Sequence, residues 1–334
     1  MKVLITGGAG FLGQRLARRL LETGTLAAGA AGAAQSIDEL RLIDRVAPDP
    51  FDARVTAIGG DIGDAALMRD AIADVDVIFH LAAIVSGQAE EDFDLGMRVN
   101  LDALRLLLDL ARETGRCPRF VQTSSVAVYG GKLPDIVDDD TPLRPSSSYG
   151  MQKAVGELWV GDYSRRNYVD GRILRLPTIS VRPGKPNRAA SSFASGLVRE
   201  PLSGVDTVCP VALDTRLWLL SPRGAIEAIV KGAELAKGAL GDRRAVNLPG
   251  VSVDVRTMIS ALEEVGGTQA TRHIEYTPDP AIEAIVGSWP AAWDATRALG
   301  LGFRGDTDFV SIVRAHVEDE LGGIVPPAPA GARA

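Results

Sequence analysis

The sequence has few of the residues that build metal centres and disulfide frameworks. Its 334 residues include two cysteines, Cys117 and Cys209, which lie far apart and form no CxxC pair. Its three histidines lack the spacing of metal ligands. This composition predicts buried reduced thiols and no metal site. His80 ends the apolar run at 77–79, which favours a structural role for this side chain over a ligand role.

An excess of positive charge is also missing, because the formal net charge is −7. This argues against a general nucleic-acid-binding protein. No apolar stretch approaches the roughly 20 residues of a membrane span. The first strand begins directly at the N-terminus, which leaves no room for a signal peptide. Hydrophobic residues still make up 46% of the chain, enough for a well-buried core. We therefore expect a cytoplasmic protein that acts on a small molecule, with neither nucleic acid nor membrane as partner.

What the sequence does contain is a glycine-rich turn between a strand and a helix. The apolar run at 2–6 predicts a buried parallel strand, and apolar residues at helical spacing predict a helix over 11–23. This geometry offers a helix N-terminus to a phosphate group. Gly7 permits the tight turn, Gly10 lets the backbone approach a pyrophosphate, and Gly13 lets the helix pack closely on the sheet.

Strands and helices alternate through the first half of the chain, which predicts a parallel sheet covered on both faces. The predicted strands are 2–6, 40–44, 54–58, 75–81, 119–124 and 172–176. The predicted helices are 11–23, 64–73, 92–114, 149–166, 223–235, 254–264 and 307–321. The fold class is α/β, a doubly wound parallel sheet. The Ala/Gly-rich segment 25–34 is interpreted as a flexible surface insertion or an Ala-rich helix.

Asp44 ends the second predicted strand, where a carboxylate can accept hydrogen bonds from the hydroxyls of an adenosine ribose. It would repel a 2′-phosphate, so it favours NAD over NADP. The insertion at 25–34 explains why Asp44 lies further from the glycines than the usual interval of about 20 residues. Asp61 and Ile62 follow the third strand and are candidates for the adenine edge. Asp61 or Asp64 is alternatively the cap of the next helix.

Tyr149 and Lys153 are four residues apart and share one face of a predicted helix. A phenol has a pKa near 10, too high for a base at neutral pH. A neighbouring ammonium stabilises the phenolate and lowers that pKa. The strand at 119–124 runs into the hydroxyls of Ser124 and Ser125, which can orient a substrate hydroxyl. Together these groups suit the oxidation of an alcohol, with Tyr149 as base and a nicotinamide as hydride acceptor.

These features, in this order, resemble the extended short-chain dehydrogenase/reductase family, which includes the sugar-nucleotide epimerases. The stretches that carry the resemblance are 6–13, 61–62, 81–83, 124–130 and 149–153. It implies a Rossmann domain of about seven strands and a smaller C-terminal substrate lobe. We expect the NAD-binding domain at 1–176, the lobe at 177–325 with some elements returning to the first domain, and a disordered tail at 326–334.

The resemblance also implies roles for individual residues. Ser125, Tyr149 and Lys153 match the catalytic set, with Ser124 as an assistant, and Asn100 matches an asparagine that supports the active-site scaffold. The small residues at 81–83 would let a cofactor lie against the backbone, or they reflect tight packing. The cofactor-binding set is Gly7, Gly10, Phe11, Leu12, Asp44, Asp61, Ile62, Leu81, Ala82, Ala83, Asn100, Tyr149, Lys153, Pro177 and Ile179.

The C-terminal half departs from the epimerases. The acidic residues expected after Arg216 are missing, and the segments 178–193, 199–202 and 208–211 resemble the D-erythronate dehydrogenase group within the family. That resemblance implies NAD-dependent oxidation of a sugar acid at its C2 hydroxyl. An arginine fork suits the carboxylate of such a substrate. The candidate substrate-binding residues are Ser86, Ser125, Tyr149, Thr178, Arg182, Lys185, Asn187, Ser191 and Arg216. A sugar-nucleotide epimerase or dehydratase is the alternative, and the family resemblance implies a homodimer.

Overall fold

The structure is a computed structural model, and it describes residues 1–28, 32–184 and 189–324. The strands are β1 Lys2–Thr6, β2 Thr25–Leu26, β3 Gln35–Ser36, β4 Glu39–Asp44, β5 Val55–Gly59, β6 Val77–His80, β7 Arg119–Ser125, β8 Asp170–Leu176, β9 Thr178–Ile179, β10 Thr207–Cys209, β11 Arg216–Leu220, β12 Ala245–Asn247, β13 Val251–Asp254 and β14 Ile274–Tyr276. The helices are α1 Phe11–Thr23, α2 Ala65–Ile72, α3 Ser86–Glu91, α4 Phe93–Met97, α5 Ala103–Glu113, α6 Ser148–Arg165, α7 Ser192–Leu202, α8 Pro222–Glu234, α9 Val255–Thr271, α10 Pro280–Val286, α11 Thr296–Gly300 and α12 Phe309–Glu320.

Seven strands form the central sheet in the order β12-β8-β7-β6-β1-β4-β5. Every pairing in it is parallel. The strands near its centre are continuous apolar runs, because helices cover both faces and leave neither side of a strand in water. In β1, Val3, Leu4 and Ile5 have no exposed surface. The predicted α/β fold with a doubly wound parallel sheet is confirmed.

The predicted elements of the first half agree with the structure to within a few residues. The exception is the predicted helix at 92–114, which consists of α4, a π-helical turn at Arg98–Asp102 and α5. Asp64, and not Asp61, caps α2, since its carboxylate accepts hydrogen bonds from the backbone amides of Ala66 and Leu67 at 2.9 and 3.2 Å.

The C-terminal half contributes to two separate cores. β12 and α8 complete the central sheet and its covering layer. The three-stranded sheet β13-β11-β9, the pair β10-β14 and the helices α7, α9 and α12 enclose a second apolar core. The region 177–222, for which the sequence predicts no strand or helix, contains β9, α7, β10 and β11. These strands are only two to five residues long, too short for their sequence pattern to stand out.

The Ala/Gly-rich insertion lies between β1 and β4. On either side of it β2 and β3 pair in antiparallel fashion, through Thr25 with Ser36 and Leu26 with Gln35. Its residues 29–31, like the predicted tail at 326–334, lie outside the described part of the chain. Within the described residues, no helix combines the length and the apolar character needed to cross a lipid bilayer.

Candidate active site

A cavity of about 310 Å³ opens at the carboxyl ends of β1, β6, β7 and β8. The strand order reverses at this point, because β4 and β5 follow on one side of β1 and β6 begins the other side. Such a switch point leaves a crevice in which open α/β sheets bind ligands. Residues from both halves of the chain line the cavity, among them Gly7, Gly10, Phe11, Leu12, Gly13, Leu81, Ala83, Ser86, Ser125, Tyr149, Lys153, Pro177, Thr178, Ile179, Arg182, Ser191 and Trp289.

The glycine-rich turn forms one wall of this cavity. Gly7 has a φ of +72°, and a Cβ on it would lie 2.9 Å from the backbone nitrogen of Ala82. A Cβ on Gly13 would lie 2.2 Å from the Gly7 carbonyl oxygen. The turn is therefore closed tightly against β6 and the start of α1. Gly10, at the N-cap position of α1, has no side chain to cap the helix, which leaves its first amides for an anionic ligand such as a pyrophosphate.

Asp44 lies beside this turn, and its role as a ligand of the adenosine ribose stays a prediction. Its carboxylate accepts a hydrogen bond from the backbone amide of Ala9 at 3.0 Å and one from that of Arg45 at 2.8 Å. The side chain is only partly buried, so its carboxylate keeps capacity to accept further hydrogen bonds. A negative charge held against the phosphate-binding turn fits a ribose diol and disfavours a 2′-phosphate.

Asp61 and Ile62 lie outside the cavity lining. The Asp61 carboxylate accepts a hydrogen bond from the backbone amide of Gly63 and pairs with the Arg98 guanidinium at 2.6 Å. The Gly63 hydrogen bond and, next to it, Arg98 hold the pKa of this carboxyl below its usual range. Ile62 packs in an apolar core beneath the sheet edge. Contacts of Asp61 and Ile62 with an adenine stay predictions.

The chain after β6 meets the glycine turn, with Leu81 and Ala83 on the cavity wall. Ala82 packs against Gly7, so its small side chain reflects tight packing of the turn. Asn100 lies behind this wall. Its amide nitrogen donates to the Ile84 carbonyl at 3.0 Å and to Gln152 at 2.7 Å, and its oxygen accepts from the Ile84 amide at 2.8 Å. These contacts are those of a scaffold residue, and both amide hydrogens are used in them.

Ser125, Tyr149 and Lys153 come together at the floor of the cavity, where the end of β7 meets the first turns of α6. The Lys153 ammonium donates to the Thr123 carbonyl at 2.9 Å and lies 5.7 Å from the centre of the Tyr149 ring. Burial lowers the pKa of Lys153 to about 8, although Glu157 opposes this effect. Burial raises the pKa of Tyr149 to about 12, while a hydrogen bond with Ser125 and the charge of Arg182 work in the opposite direction.

His80 lies beneath this group and is a structural residue, as the sequence predicts. Its Nδ1 lies 2.8 Å from the Thr6 hydroxyl, and the side chain is buried. Burial, with the charge of Lys153 as a second cause, lowers the pKa of His80 to about 3. The imidazole is therefore neutral at physiological pH and adds no charge to the site.

Part of the cavity wall carries polar groups proposed for the substrate, which come from α3 and from the chain after β8. Thr178 and Ser191 line it, as does Ser86, whose hydroxyl accepts a hydrogen bond from the Ala190 amide at 3.4 Å. Trp289 also lines this wall and was not predicted. It follows α10 in a short loop, and nothing in the local sequence distinguishes it from a core tryptophan.

Among the described residues that line the cavity, Arg182 is the arginine. Burial and the neighbouring Arg199 lower the pKa of its guanidinium, while Tyr149 raises it. Within the described chain no carboxylate forms an ion pair with Arg182. The structure therefore brings a cation with no acidic partner among these residues close to the phenol of Tyr149.

Arg216 is not part of this site, and its inclusion among the substrate-binding residues was wrong. It is exposed at the start of β11, and its guanidinium donates to the hydroxyl and carbonyl of Ser252 at 3.0 and 3.3 Å. β11 reaches β9 only through Leu219 and Leu220, the far end of the strand from Arg216. Lys185 and Asn187 lie outside the described residues.

The chain is similar to several known proteins over most of its length. The model of the NAD dependent epimerase/dehydratase family matches residues 3–218. A D-erythronate dehydrogenase from Cupriavidus necator is 60% identical over 96% of this chain and 98% of its own. A D-erythronate dehydrogenase from Haemophilus influenzae is 44% identical over 96% of this chain and 100% of its own. A solved structure described as a nucleoside-diphosphate-sugar epimerase from Agrobacterium tumefaciens is 42% identical, with a TM-score of 0.91 over 98% of this chain and 96% of that chain.

Proposed function

The chain belongs to the NAD dependent epimerase/dehydratase family and is an NAD-dependent dehydrogenase, and we propose that it oxidises D-erythronate at C2 to the 2-oxo acid. The two D-erythronate dehydrogenases cover nearly the whole of this chain, including the lobe that supplies Arg182 and Trp289. The proposal assigns Tyr149 as the base, with Ser125 and Lys153 as its partners.

The residues that would hold NAD are those around the glycine turn. In this proposal the uncapped N-terminus of α1 offers backbone amides to the pyrophosphate, Asp44 offers its carboxylate to the adenosine ribose, and Lys153 holds the second ribose. Pro177 and Ile179 line the same cavity further from the turn. When bound, NAD supplies the acceptor for the hydride that leaves C2, and its oxidised ring adds a positive charge to the cavity.

Tyr149 takes the proton of the substrate hydroxyl in this proposal. Its pKa of about 12 in the buried cavity is too high for a base. Positive charge near the phenol lowers that pKa, and the Lys153 ammonium and the Arg182 guanidinium both supply it. Ser125 lowers the pKa of Tyr149 and lines the same cavity, which supports a role for its hydroxyl in holding the substrate oxygen next to the base.

The observation that carries the choice of C2 is the proximity of Arg182 to Tyr149 in one cavity. In a 2-hydroxy acid the reacting hydroxyl is on the carbon next to the carboxylate. A guanidinium that binds this carboxylate must therefore lie close to the group that takes the hydroxyl proton. Arg182 and Tyr149 lie close enough for each to affect the other's pKa. Ser86, Thr178 and Ser191 remain for the hydroxyls at C3 and C4.

A sugar-nucleotide epimerase would need further cations for a nucleoside diphosphate. A second cavity of about 750 Å³ adjoins the first at Ala189 and has room for such a group. Among its described lining residues the charged groups are Glu200 and Asp279, which are both acidic. Glu200 is paired with Arg199 at 2.5 Å, and neither acidic residue adds a cation to this cavity for a diphosphate, which favours the small monocarboxylate substrate.

The test uses D-erythronate deuterated at C2, with NAD and the purified protein. The proposal expects formation of reduced nicotinamide that carries the deuterium, together with the 2-oxo acid, both identified by mass spectrometry. Substrate deuterated at C3 should transfer none. Reduced cofactor without deuterium from C2 would contradict the position, and no reduction with any four- to six-carbon aldonate would contradict the dehydrogenase proposal. Turnover of a nucleotide sugar without net reduction would identify an epimerase.

The base is tested by Tyr149→Phe, which should abolish turnover while NAD binding, measured by calorimetry, stays nearly unchanged. Tyr163→Phe is the matched control on the same helix. Its hydroxyl donates to Asp109 at 2.7 Å and lies outside the cavity, so turnover should persist. Equal turnover in Tyr149→Phe and the parent protein would remove Tyr149 from the mechanism.

A homodimer and a cytoplasmic location stay predictions from the family resemblance. Helix α6 presents Leu158 with 71% of its surface exposed, a position that a second copy of the chain would cover. Light scattering of the purified protein measures the mass in solution and decides between monomer and dimer.

A further inference from the structure

Behind Lys153 a buried ion pair joins the reacting site to the strands beneath it. Glu157, on α6 one turn after Lys153, pairs with Arg175 of β8 through contacts of 2.7 to 3.2 Å. Their side chains are 5% and 8% exposed. Neither residue belongs to the sets assigned above. A buried ion pair is costly to desolvate and adds little stability by itself, so its position calls for an explanation.

Glu157 also reaches the strand that carries Ser125. Its Oε1 accepts a hydrogen bond from the Ser124 hydroxyl at 2.5 Å. Ser124 lies between Ser125 and Thr123, whose carbonyl holds the Lys153 ammonium at 2.9 Å. One carboxylate therefore fixes the segment of β7 that presents both the hydroxyl of Ser125 and the acceptor of Lys153.

Arg175 is held in turn on its far side. Its Nη1 donates to the Tyr129 hydroxyl at 2.6 Å, and that hydroxyl donates to the Asn247 side chain at 2.8 Å. Ser124, Glu157, Arg175, Tyr129 and Asn247 are all buried. The network thus crosses from α6 through β7 and β8 to β12, and a rigid hydrogen-bonded chain of this kind restricts the conformations of each member.

We propose that the Glu157–Arg175 ion pair is a positioning element of the reacting site, through which Glu157 fixes the end of β7 by way of Ser124 and supplies the counter-charge of Lys153. This inference rests on the proposed role of Lys153 in the dehydrogenase reaction. Glu157 and Arg175 touch neither substrate nor the reacting atoms, and they act through Ser124 and Lys153.

The charge effect of Glu157 on Lys153 can be distinguished from the effects of the other groups that face this lysine. Tyr149 and Glu157 approach it from α6, and His80 approaches from β6. His80 is neutral above a pH of about 3, and Tyr149 is neutral below about 12. Glu157 is the group among them that favours the charged form of Lys153, and Arg175 on its far side partly offsets this effect.

The test is an NMR titration of Lys153 in the protein without cofactor, which is independent of turnover. The protein is labelled with ¹³C-lysine, and the Cε signal of Lys153 is identified by its loss in Lys153→Met. The parent protein should titrate near pH 8. Glu157→Gln keeps the shape of the side chain and removes its charge, so the midpoint should fall by about one pH unit. Asp162→Asn, an exposed change on the same helix, should leave it unchanged.

The variant Ser124→Ala separates the two proposed effects of Glu157, which are the positioning of β7 and the counter-charge for Lys153. It removes the hydrogen bond to Glu157 and leaves every charge in place, so the Lys153 midpoint should not move while kcat for D-erythronate falls about tenfold. KM for NAD should stay nearly unchanged. If these residues had only a general structural role, both variants would lower the melting temperature. The Lys153 midpoint would then not move in Glu157→Gln alone, and kcat would not fall in Ser124→Ala at an unchanged midpoint.

Glu157→Gln leaves Arg175 buried without its partner and is expected to lose stability. Circular dichroism shows whether this variant folds. If it does not, the double variant Glu157→Gln with Arg175→Met, which removes both charges, is titrated instead, and its Lys153 midpoint should fall by a smaller amount. A Lys153 midpoint equal to that of the parent protein in a folded Glu157 variant overturns the inference. Failure of the parent protein to oxidise D-erythronate would overturn the proposed function instead. The titration and the oxidation assay are separate measurements, so the two outcomes can be distinguished.

Discussion

The ammonium of Lys153 donates a hydrogen bond to the main-chain carbonyl of Thr123 across 2.9 Å, which ties helix α6 to the end of strand β7. The same contact brings Lys153 close to the ring of Tyr149, with 5.7 Å from its nitrogen to the ring centre. The charge of this lysine therefore acts on the proposed base, and its loss on titration should be visible in the reaction.

The pH dependence follows from the direction of two pKa shifts. Burial lowers the pKa of Lys153 to about 8, so its charge is present below that pH and is lost above it. Because the charge favours the Tyr149 phenolate, kcat/KM for D-erythronate should rise from the acid side and stop rising near pH 8. Lys153→Met should lower kcat/KM by about 10²-fold or more and remove the bend. A parent profile that climbs steadily to pH of about 10 would contradict this assignment.

Replacement of Arg182 by methionine should weaken substrate binding selectively. A charge-assisted pair between guanidinium and carboxylate is worth about 2–3 kcal/mol, so KM for D-erythronate should rise by roughly 10²-fold. KM for NAD should change little. Arg216→Met is the matched control, since this exposed arginine binds Ser252 outside the cavity. Steady-state kinetics on both variants decide the matter, and similar effects of the two changes would mean that Arg182 does not bind the carboxylate.

Asp44 should control the choice between the two nicotinamide cofactors. Asp44→Ser removes the charge that disfavours a 2′-phosphate and one acceptor for the ribose. The expected result is a fall of roughly tenfold in kcat/KM with NAD and measurable turnover with NADP. Asp49→Asn alters an exposed carboxylate on the following loop and should leave the preference intact. An Asp44 variant that keeps full selectivity for NAD would place the discrimination elsewhere.

The glycine at position 13 should tolerate no side chain. In Gly13→Ala the added Cβ would lie 2.2 Å from the Gly7 carbonyl oxygen, so the turn or the helix must move. Overpacking of this kind costs about 1–3 kcal/mol of unfolding free energy, and NAD affinity should fall with it. Gly161→Ala on α6 is the control, because no atom lies within 4 Å of the new Cβ. It should be neutral or stabilise the protein by up to about 1 kcal/mol. Urea denaturation measures both.

Several features could be predicted from sequence because local pattern reports them directly. The strands β1 and β6 carry continuous apolar runs, a pattern typical of strands that are covered on both faces of a parallel sheet. The backbone conformation of the turn at 7–13 itself requires glycine. Tyr149 and Lys153 share a helix face through spacing alone. Their meeting with Ser125 follows once the strands are known to be parallel, since the carboxyl ends of parallel strands lie at one edge.

Only the tertiary structure decided which distant residues complete the cavity. Arg182 and Arg216 both stand in polar surroundings in the sequence, yet one faces Tyr149 and the other binds Ser252. Trp289 and the Glu157–Arg175 pair likewise carry no local signal, because their partners lie in other elements. Periodicity describes which face of one element is buried. Which groups meet across elements depends on how the lobe packs on the sheet, and that packing is set by contacts summed over the whole chain.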